Sequence, residues 1–294
     1  MRIKLLAAIL SFPLLAFGQV TIVAPPNPIS IGDGIRLAAP EYDADAASYF
    51  IRAGVTSATA KQKINTLVRA LKADATWSNV RVYLLRSTQN AGTGSTVYTL
   101  GGWSSDNSTL VGSPTWGTDG VDFNGTSQYC ADSNDIWTGG TALTFFLDFN
   151  QDTTTLGQSI LGVYGTTSPA NQRGFLIQSE AGAARYNFST SSDGSVGAVL
   201  VCTYGTPLAG AQRSIAGIYS ASSLSAFVNS GSSTVTGSPA TSLFNAATVF
   251  SIGAHNPGSP SSFFDGKIGC AIVIKQTLSS AATLRINAAM EGLR

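Results

Sequence analysis

At 294 residues the chain is long enough to bury one large core with a small appendage. Hydrophobic residues make up 44% and charged residues only 11%, with Gly at 31 positions; this composition, rich also in Ser and Thr, excludes a mainly helical protein and favours a turn-rich β one. The net charge of +1 hides an asymmetry, since residues 36–86 hold eight Lys/Arg against four Asp/Glu and residues 87–266 hold three against ten, which leaves the larger part without the basic face that a nucleic-acid binder needs.

Residues 1–18 place Arg2 and Lys4 before the apolar run LLAAILSFPLLAF, followed by Ala16 and Gly18. That order is a secretory signal pattern with a cut before Gln19, and its apolar stretch is too short for a stable membrane span. Residues 19–40 contain Pro25, Pro26, Pro28 and Pro40 with Gly32 and Gly34, and read as an extended arm or linker. Residues 41–88 form a small helical adaptor. Asp45–Arg52 is expected as a short helix ending at Gly54, and Thr56 or Ser57 caps a second in which Ile64, Leu67, Val68 and Leu71 share one face. Lys61, Lys63, Arg69 and Lys72 fall on its other faces, so the basic charge of this segment is expected to be solvated. Trp77, Val80, Val82, Tyr83, Leu84 and Leu85 then make an apolar tail that must pack on something.

Residues 89–294 carry the β domain. Val97–Leu100 and Thr109–Val111 are short strand candidates in a loop-rich stretch. From Val121 onward come VDF, QYCA, LTFFLDF, SILGVY, GFLIQS, RYNFST, AVLVCTY, SIAGIYS, LSAFVN, TVFSIG and KIGCAIVIK, separated by turn clusters such as NGTS, TGGT and SDGS. Eleven short strands without an intervening helix indicate an antiparallel sandwich.

Two resemblances sharpen this reading. The segments GVDFNGTSQYCA and ALTFFLDFNQD, and the closing FSIGAHNPGSPSSFFDGKIG with a strand and the helix-like LSSAATLRINAAM, resemble the first and last strands of concanavalin A-like lectin/glucanase (LamG-like) domains. The lead-in ADAASYFIRAGVTSATAKQKINTLVRALKADATWSNVRVYLLRSTQNAG is similar to the helical segment that precedes such domains in bacteriophage and prophage structural proteins. The resemblance implies a mainly β, jelly-roll sandwich preceded by a small helical segment, and a non-catalytic attachment protein on a virion or in the extracellular space. It implies a glycan or host surface as partner, other virion or surface proteins bound through residues 19–87, and room for a homo-oligomer. A secreted carbohydrate-binding module is the alternative, and an atypical glycoside hydrolase the third reading.

The residues support little catalysis. Laminarinase-type members of the superfamily carry two Glu and an Asp alternating on one strand, facing one way for attack and proton transfer. Here Glu41, Glu180 and Glu291 are far apart. Asp148 and Asp152 have a strand-compatible spacing, but Asp is a turn residue, so DFNQD is expected as a strand exit into a polar turn. His255 is the single histidine and no GxSxG elbow accompanies it; with Asn256 it is a candidate for a ligand hydrogen bond at the sandwich rim. Trp103, Trp116 and Tyr164 are candidate platforms for the C–H face of a sugar, although large aromatics also fill cores. No cofactor is implied. Asp132, Asn134 and Asp135 in ADSNDIW make an oxygen cluster that would suit Ca²⁺, yet without EF-hand spacing a polar loop is the better expectation. Cys130, Cys202 and Cys270 have no CxxC spacing, and either three buried thiols or one disulfide with a free thiol fits them.

Overall fold

The computed structural model describes residues 30–31, 35–36, 41–103, 106–136, 139–154, 157–165, 172–180, 185–193, 199–221, 223–229, 231–235, 242–244, 249–255 and 261–294. Two compact units result. The first, residues 1–41, is described by one antiparallel hairpin, β1 (Ser30–Ile31) with β2 (Ile35–Arg36). The second is residues 42–294.

The second unit opens with α1 (Ala44–Arg52), capped by the Asp43 carboxylate on Asp45 N at 3.0 Å, and α2 (Ala58–Asp74), capped by Ser57 Oγ on Ala60 N at 3.3 Å. Such caps satisfy amides that the helix itself leaves open. On α2 the side chains of Ile64, Leu67, Val68 and Leu71 are fully buried, each contributing about 1.5–3 kcal/mol over an exposed position. A third helix, α3 (Ser280–Glu291), capped by Ser279, lies at the far end of the chain.

Between them run β3 (Val80–Leu84), β4 (Thr96–Val97), β5 (Thr99–Leu100), β6 (Ser108–Val111), β7 (Thr115–Trp116), β8 (Val121–Asn124), β9 (Tyr129–Ile136), β10 (Ala142–Gln151), β11 (Gln158–Gly165), β12 (Gln172–Glu180), β13 (Arg185–Ser191), β14 (Val199–Tyr204), β15 (Gln212–Ser220), β16 (Ser223–Val228), β17 (Gly231–Val235), β18 (Val249–Ile252) and β19 (Asp265–Ile274). One sheet has the order β17-β16-β15-β10-β19-β3-β5, with β8 paired to β19 and β7 to β8; the other has the order β14-β13-β12-β11-β18-β9-β6-β4. The pairings are antiparallel throughout. The eleven strands expected from Val121 onward all form, and β8 and β19 lie side by side in one sheet.

Strand alternation sends the two faces of the first sheet to two different cores. Leu143, Phe145, Leu147 and Phe149 of β10 meet Phe175, Ile177, Tyr186 and Phe188 of the opposite sheet. Phe146 of β10 and Cys270, Ile272 and Ile274 of β19 face α1, α2 and α3. The unit therefore has three layers: helices, a helix-backed sheet, and a second sheet. Gly217 in β15 sits under the ring of Phe145, where any Cβ would clash with it.

Three expectations change here. The adaptor at 41–88 is no separate body, because β3 pairs with β19 and β5 within the helix-backed sheet and its Val80, Val82 and Leu84 share a core with the helices. The apolar tail thus becomes a sheet strand, since only pairing satisfies its amides in a buried setting. The stretch ADSNDIW is mainly strand rather than polar loop, stitched by β18 on one side and β6 on the other. Asp148 lies inside β10 rather than at a strand exit.

The cysteines are held apart. Cys130 faces the inter-sheet core and Cys270 the helices, and face-to-face sheets are about 10 Å apart. Cys202 lies on β14, five strands from the β9 of Cys130, or about 24 Å, far beyond the roughly 7 Å limit between Cα atoms of a disulfide. Burial pushes the thiols of Cys130 and Cys270 well above their ordinary pKa. Mass spectrometry after alkylation is therefore expected to show Cys130 and Cys270 unmodified in the folded protein and all three cysteines modified in denaturant without a reductant. A pair released only by reductant would contradict this register.

Candidate functional site

Carboxylates decide what chemistry is available, and the structure sorts them into two groups. The first group is buried and neutralised. Asp148 is fully buried and faces the helix side of its sheet. Its Oδ1 accepts from Arg294 Nη2 at 2.7 Å, Arg294 Nε at 2.9 Å and Gln212 Nε2 at 2.6 Å, and its Oδ2 accepts from Arg86 Nη2. Arg86, itself 3% exposed, also donates Nη1 to Gly269 O at 3.3 Å. Gly269 is the extra residue of a β-bulge opposite Asp148 and Phe149. A Cβ there would come within 2.5 Å of Arg86 Nη2, so the arginine has its place because the glycine has no side chain. The bulge also returns Ile268 to the inter-sheet core and leaves Lys267 opposite Asn150.

Asp132 is the second buried carboxylate, 1% exposed. It faces the inter-sheet core, where it forms an ion pair with Arg81 Nη2 and accepts from Tyr83 Oη at 2.8 Å. The pair bridges the two sheets, Arg81 and Tyr83 coming from β3 and Asp132 from β9. Of the Ca²⁺ candidates, Asp132 is thus committed inward, and the side chains of Asn134 and Asp135 lie outside the described residues. Among the described residues no three His, Cys, Asp or Glu side chains group so as to hold a metal ion. Paired with guanidinium groups and buried, neither carboxylate is placed to meet a substrate from solvent.

Asp122, Asp152 and Asp265 form the second group, at the rim where β19 begins, while Asp43, Asp45, Asp74 and Glu180 pair with basic side chains elsewhere. Asp122 pairs across β8 and β19 with Lys267, Asp265 with Asn124, and Asp152 N donates to Asp265 O at 2.9 Å. Burial pushes the Asp152 carboxyl above the usual range, and the negative charges of Asp122 and Asp265 add to it, with Lys267 opposing. Asp152 itself is exposed, whereas a general acid works best where water is excluded. Trp116 stands one residue pair inward of Thr115 and Asp122. It is half-buried, packs on the inter-sheet core and has its indole Nε1 fixed to Gly94 O at 2.9 Å. The rings of Tyr129 and Phe263 lie 6.3 Å apart at the same rim.

His255 also belongs to this rim, but as a strut. Its Nδ1 is 2.8 Å from Ser159 Oγ and its Nε2 is 2.7 Å from Ser261 Oγ. Both ring nitrogens are engaged by serine hydroxyls. Ser159 is fully buried and the third group is a hydroxyl rather than a carboxylate, so no catalytic triad forms. Asn256 lies outside the described residues. Trp103 is at the opposite end of the sheet, its N bonded to Val80 O and the Lys275 ammonium 3.4 Å from its ring centroid. The six residues of β19 between those ends set Trp103 about 20 Å from Trp116. Tyr164 sits near the far end of β11, in register with Arg173, and its side chain lies outside the described residues. Of the sequence candidates whose side chains are described, Trp116 and His255 lie toward the same end of the sandwich.

The residues missed were Arg81, Arg86, Arg294, Gln212, Asp122, Asp265 and Lys267. One signal was available: an arginine inside an otherwise apolar strand, as in VRVYL, must be buried with a counter-charge.

No protein-family model matches the chain, and no curated protein matches it. Solved structures do. The chain is similar to a Trypanosoma rangeli sialidase in complex with 2,3-difluorosialic acid, at a TM-score of 0.51 and 12% identity, over 79% of this chain and 39% of that one. The NanB sialidase of Streptococcus pneumoniae gives a TM-score of 0.42 at 14% identity over 49% and 23% of the two chains. A pentraxin of Limulus polyphemus gives 0.41 at 10% identity over 70% and 80%. The chain spans well under half the length of the sialidases it matches. No helix among the described residues is long and apolar enough to cross a membrane. At these identities the likeness to the Trypanosoma rangeli enzyme shows the fold alone, an antiparallel β-sandwich.

Proposed function

We propose that this chain is a non-catalytic attachment protein of a virion or cell surface, whose sandwich contacts a glycan at the rim beside Trp116. The observation that carries this reading is the fixed, half-exposed indole of Trp116, packed on the edge of the inter-sheet core. An aromatic face takes the C–H side of a sugar. Carbohydrate is also the ligand in the Trypanosoma rangeli structures with sialic acid and its difluoro analogue. The resemblance of the lead-in to phage structural proteins supports a virion component, joined to other virion proteins through residues 19–87. Three thiols held apart suit assembly in a reducing compartment, where disulfides are rare. The signal-like residues 1–18 favour a secreted carbohydrate-binding module as the second reading.

Fractionation and a glycan array test this together. The protein is expected to sediment with intact particles, to bind a subset of glycans, and to lose that binding at least ten-fold in Trp116→Ala. Protein free in the medium with the same binding would select the secreted module. Polysaccharide turnover that disappears in Asp152→Asn would overturn the non-catalytic reading.

A further inference from the structure

The chain just beyond β18 is tied to β11 through the side chain of His255. Its Nδ1 lies 2.8 Å from Ser159 Oγ and its Nε2 2.7 Å from Ser261 Oγ, while its main chain bridges to Ser261 in both directions at 3.2 Å. Ser159 N also donates to Ser262 O at 2.8 Å, and Ser262 holds a φ of 52°, left-handed for a residue with a Cβ. The hydrogens on this chain of bonds can be placed. Ser159 is fully buried, and among the described residues its hydroxyl has the imidazole as its one hydrogen-bond partner. A buried O–H without an acceptor is costly, so its hydrogen points at Nδ1. Nδ1 is then the unprotonated nitrogen. The Nε2–H donates to Ser261, which is exposed and can turn its own hydrogen to water.

We propose that His255 is an acid-sensitive pin: neutral, it locks the junction of β18 and β19 onto β11, and protonation releases it. A second proton must enter at Nδ1, opposite a hydroxyl hydrogen that has no other acceptor. The imidazolium therefore forms only when Ser159 turns away or the contact parts, and either event frees Ser262 to relax. Phe263 follows directly, with its ring 6.3 Å from that of Tyr129, so acid loosens an aromatic edge of the rim. The charged groups on the elements that meet here are Asp122, Asp152, Asp265 and Lys267, with the Glu180–Arg185 pair at the ends of β12 and β13. Lys267 and Arg185 oppose an added positive charge and the carboxylates favour it, so the pin requires the clash of two donors to outweigh the carboxylates. The stability lent by the neutral ring is whole above the ordinary histidine pKa of about 6.5 and is lost as the pH falls below it. Asp152 works in the opposite direction, because a carboxyl raised by burial adds stability in acid. The pin does not depend on what the rim binds.

The chain has a single histidine, so NMR of the imidazole nitrogens and protons in the full chain reports this site alone. At neutral pH the ring is expected as the Nε2–H tautomer, and it should take up a proton about ten-fold less readily than a free histidine. Ser159→Ala removes the facing hydrogen and is expected to restore at least about three-fold of that proton affinity. The melting temperature of the wild type is expected to fall by roughly 3 °C between about pH 7 and about pH 5. The fall should be smaller in His255→Gln, whose amide offers an acceptor and a donor without titrating. An Nδ1–H tautomer, proton uptake as ready as that of free histidine, indifference to Ser159→Ala, or an equal fall in His255→Gln would each overturn the pin.

Discussion

Asp148→Asn is expected to cost the fold about 3–5 kcal/mol, the range for breaking a buried ion pair and leaving its partner uncompensated. The physical reason is Arg86, which is 3% exposed and whose Nη2 is paired with Asp148. The neutral amide cannot balance that guanidinium, and with Oδ1 kept for Arg294 its NH2 would stand where Oδ2 now accepts from Arg86, a donor facing a donor. For a unit of this size, a loss of that order lowers the melting temperature by roughly 10 °C. Hydrogen exchange should show α3 losing protection first at its C-terminal turn, because Arg294 is tied to the sheet through Asp148. Asp152→Asn at the exposed rim is the control, with a change within about 0.5 kcal/mol. Thermal unfolding of both variants decides the matter. A stable Asp148→Asn protein with altered ligand chemistry would mean that the carboxylate serves a site rather than the fold.

Arg81→Ala and Asp132→Ala are each expected to destabilise by a similar 3–5 kcal/mol, for each strands one charge between the sheets. Tyr83→Phe, which removes the hydroxyl donated to Asp132 at 2.8 Å, should cost about 1.5–3 kcal/mol, as for a hydrogen bond to a charged group. The informative variant is the double replacement Arg81→Met with Asp132→Leu. Two apolar side chains of similar volume need no desolvation of charge, and such swaps are often neutral or stabilising. The double variant should therefore regain most of what either single change loses, with a large coupling energy in the double-mutant cycle. Denaturant titration of these variants, with the singles Arg81→Met and Asp132→Leu that close the cycle, measures the coupling. If the double variant falls as far as the sum of the singles, the two residues act independently and the inter-sheet pair is not the unit of stabilisation.

Periodicity and turn chemistry made much of the architecture legible. The period-2 apolar runs from Val121 to Ile274 specify strands because alternation is how a pleated sheet buries one face, and β8, β10 and β19 formed where those runs stand. Ser57 and the Ile64–Leu71 face specify α2 for an equally local reason, a cap and a 3.6-residue repeat. At the candidate site, the indole of Trp116 was legible as an aromatic among small residues, since its exposure follows from its neighbours along the chain.

Tertiary structure decided what the charges do. In the chain, the basic excess of residues 36–86 and the acidic excess of residues 87–266 look like two separate surfaces. Folding inserts β3 beside β19, and Arg81 and Arg86 then meet Asp132 and Asp148 in the interior. Residues 51 and 62 positions apart are brought together by pairing that no local pattern encodes, because strand order depends on which faces must be buried against which. The same pairing separates Trp103 from Trp116 along β19 and fixes both nitrogens of His255 between two serines. Local sequence determines which segments become strands and helices; the long-range burial of those segments determines which side chains are left exposed at the rim.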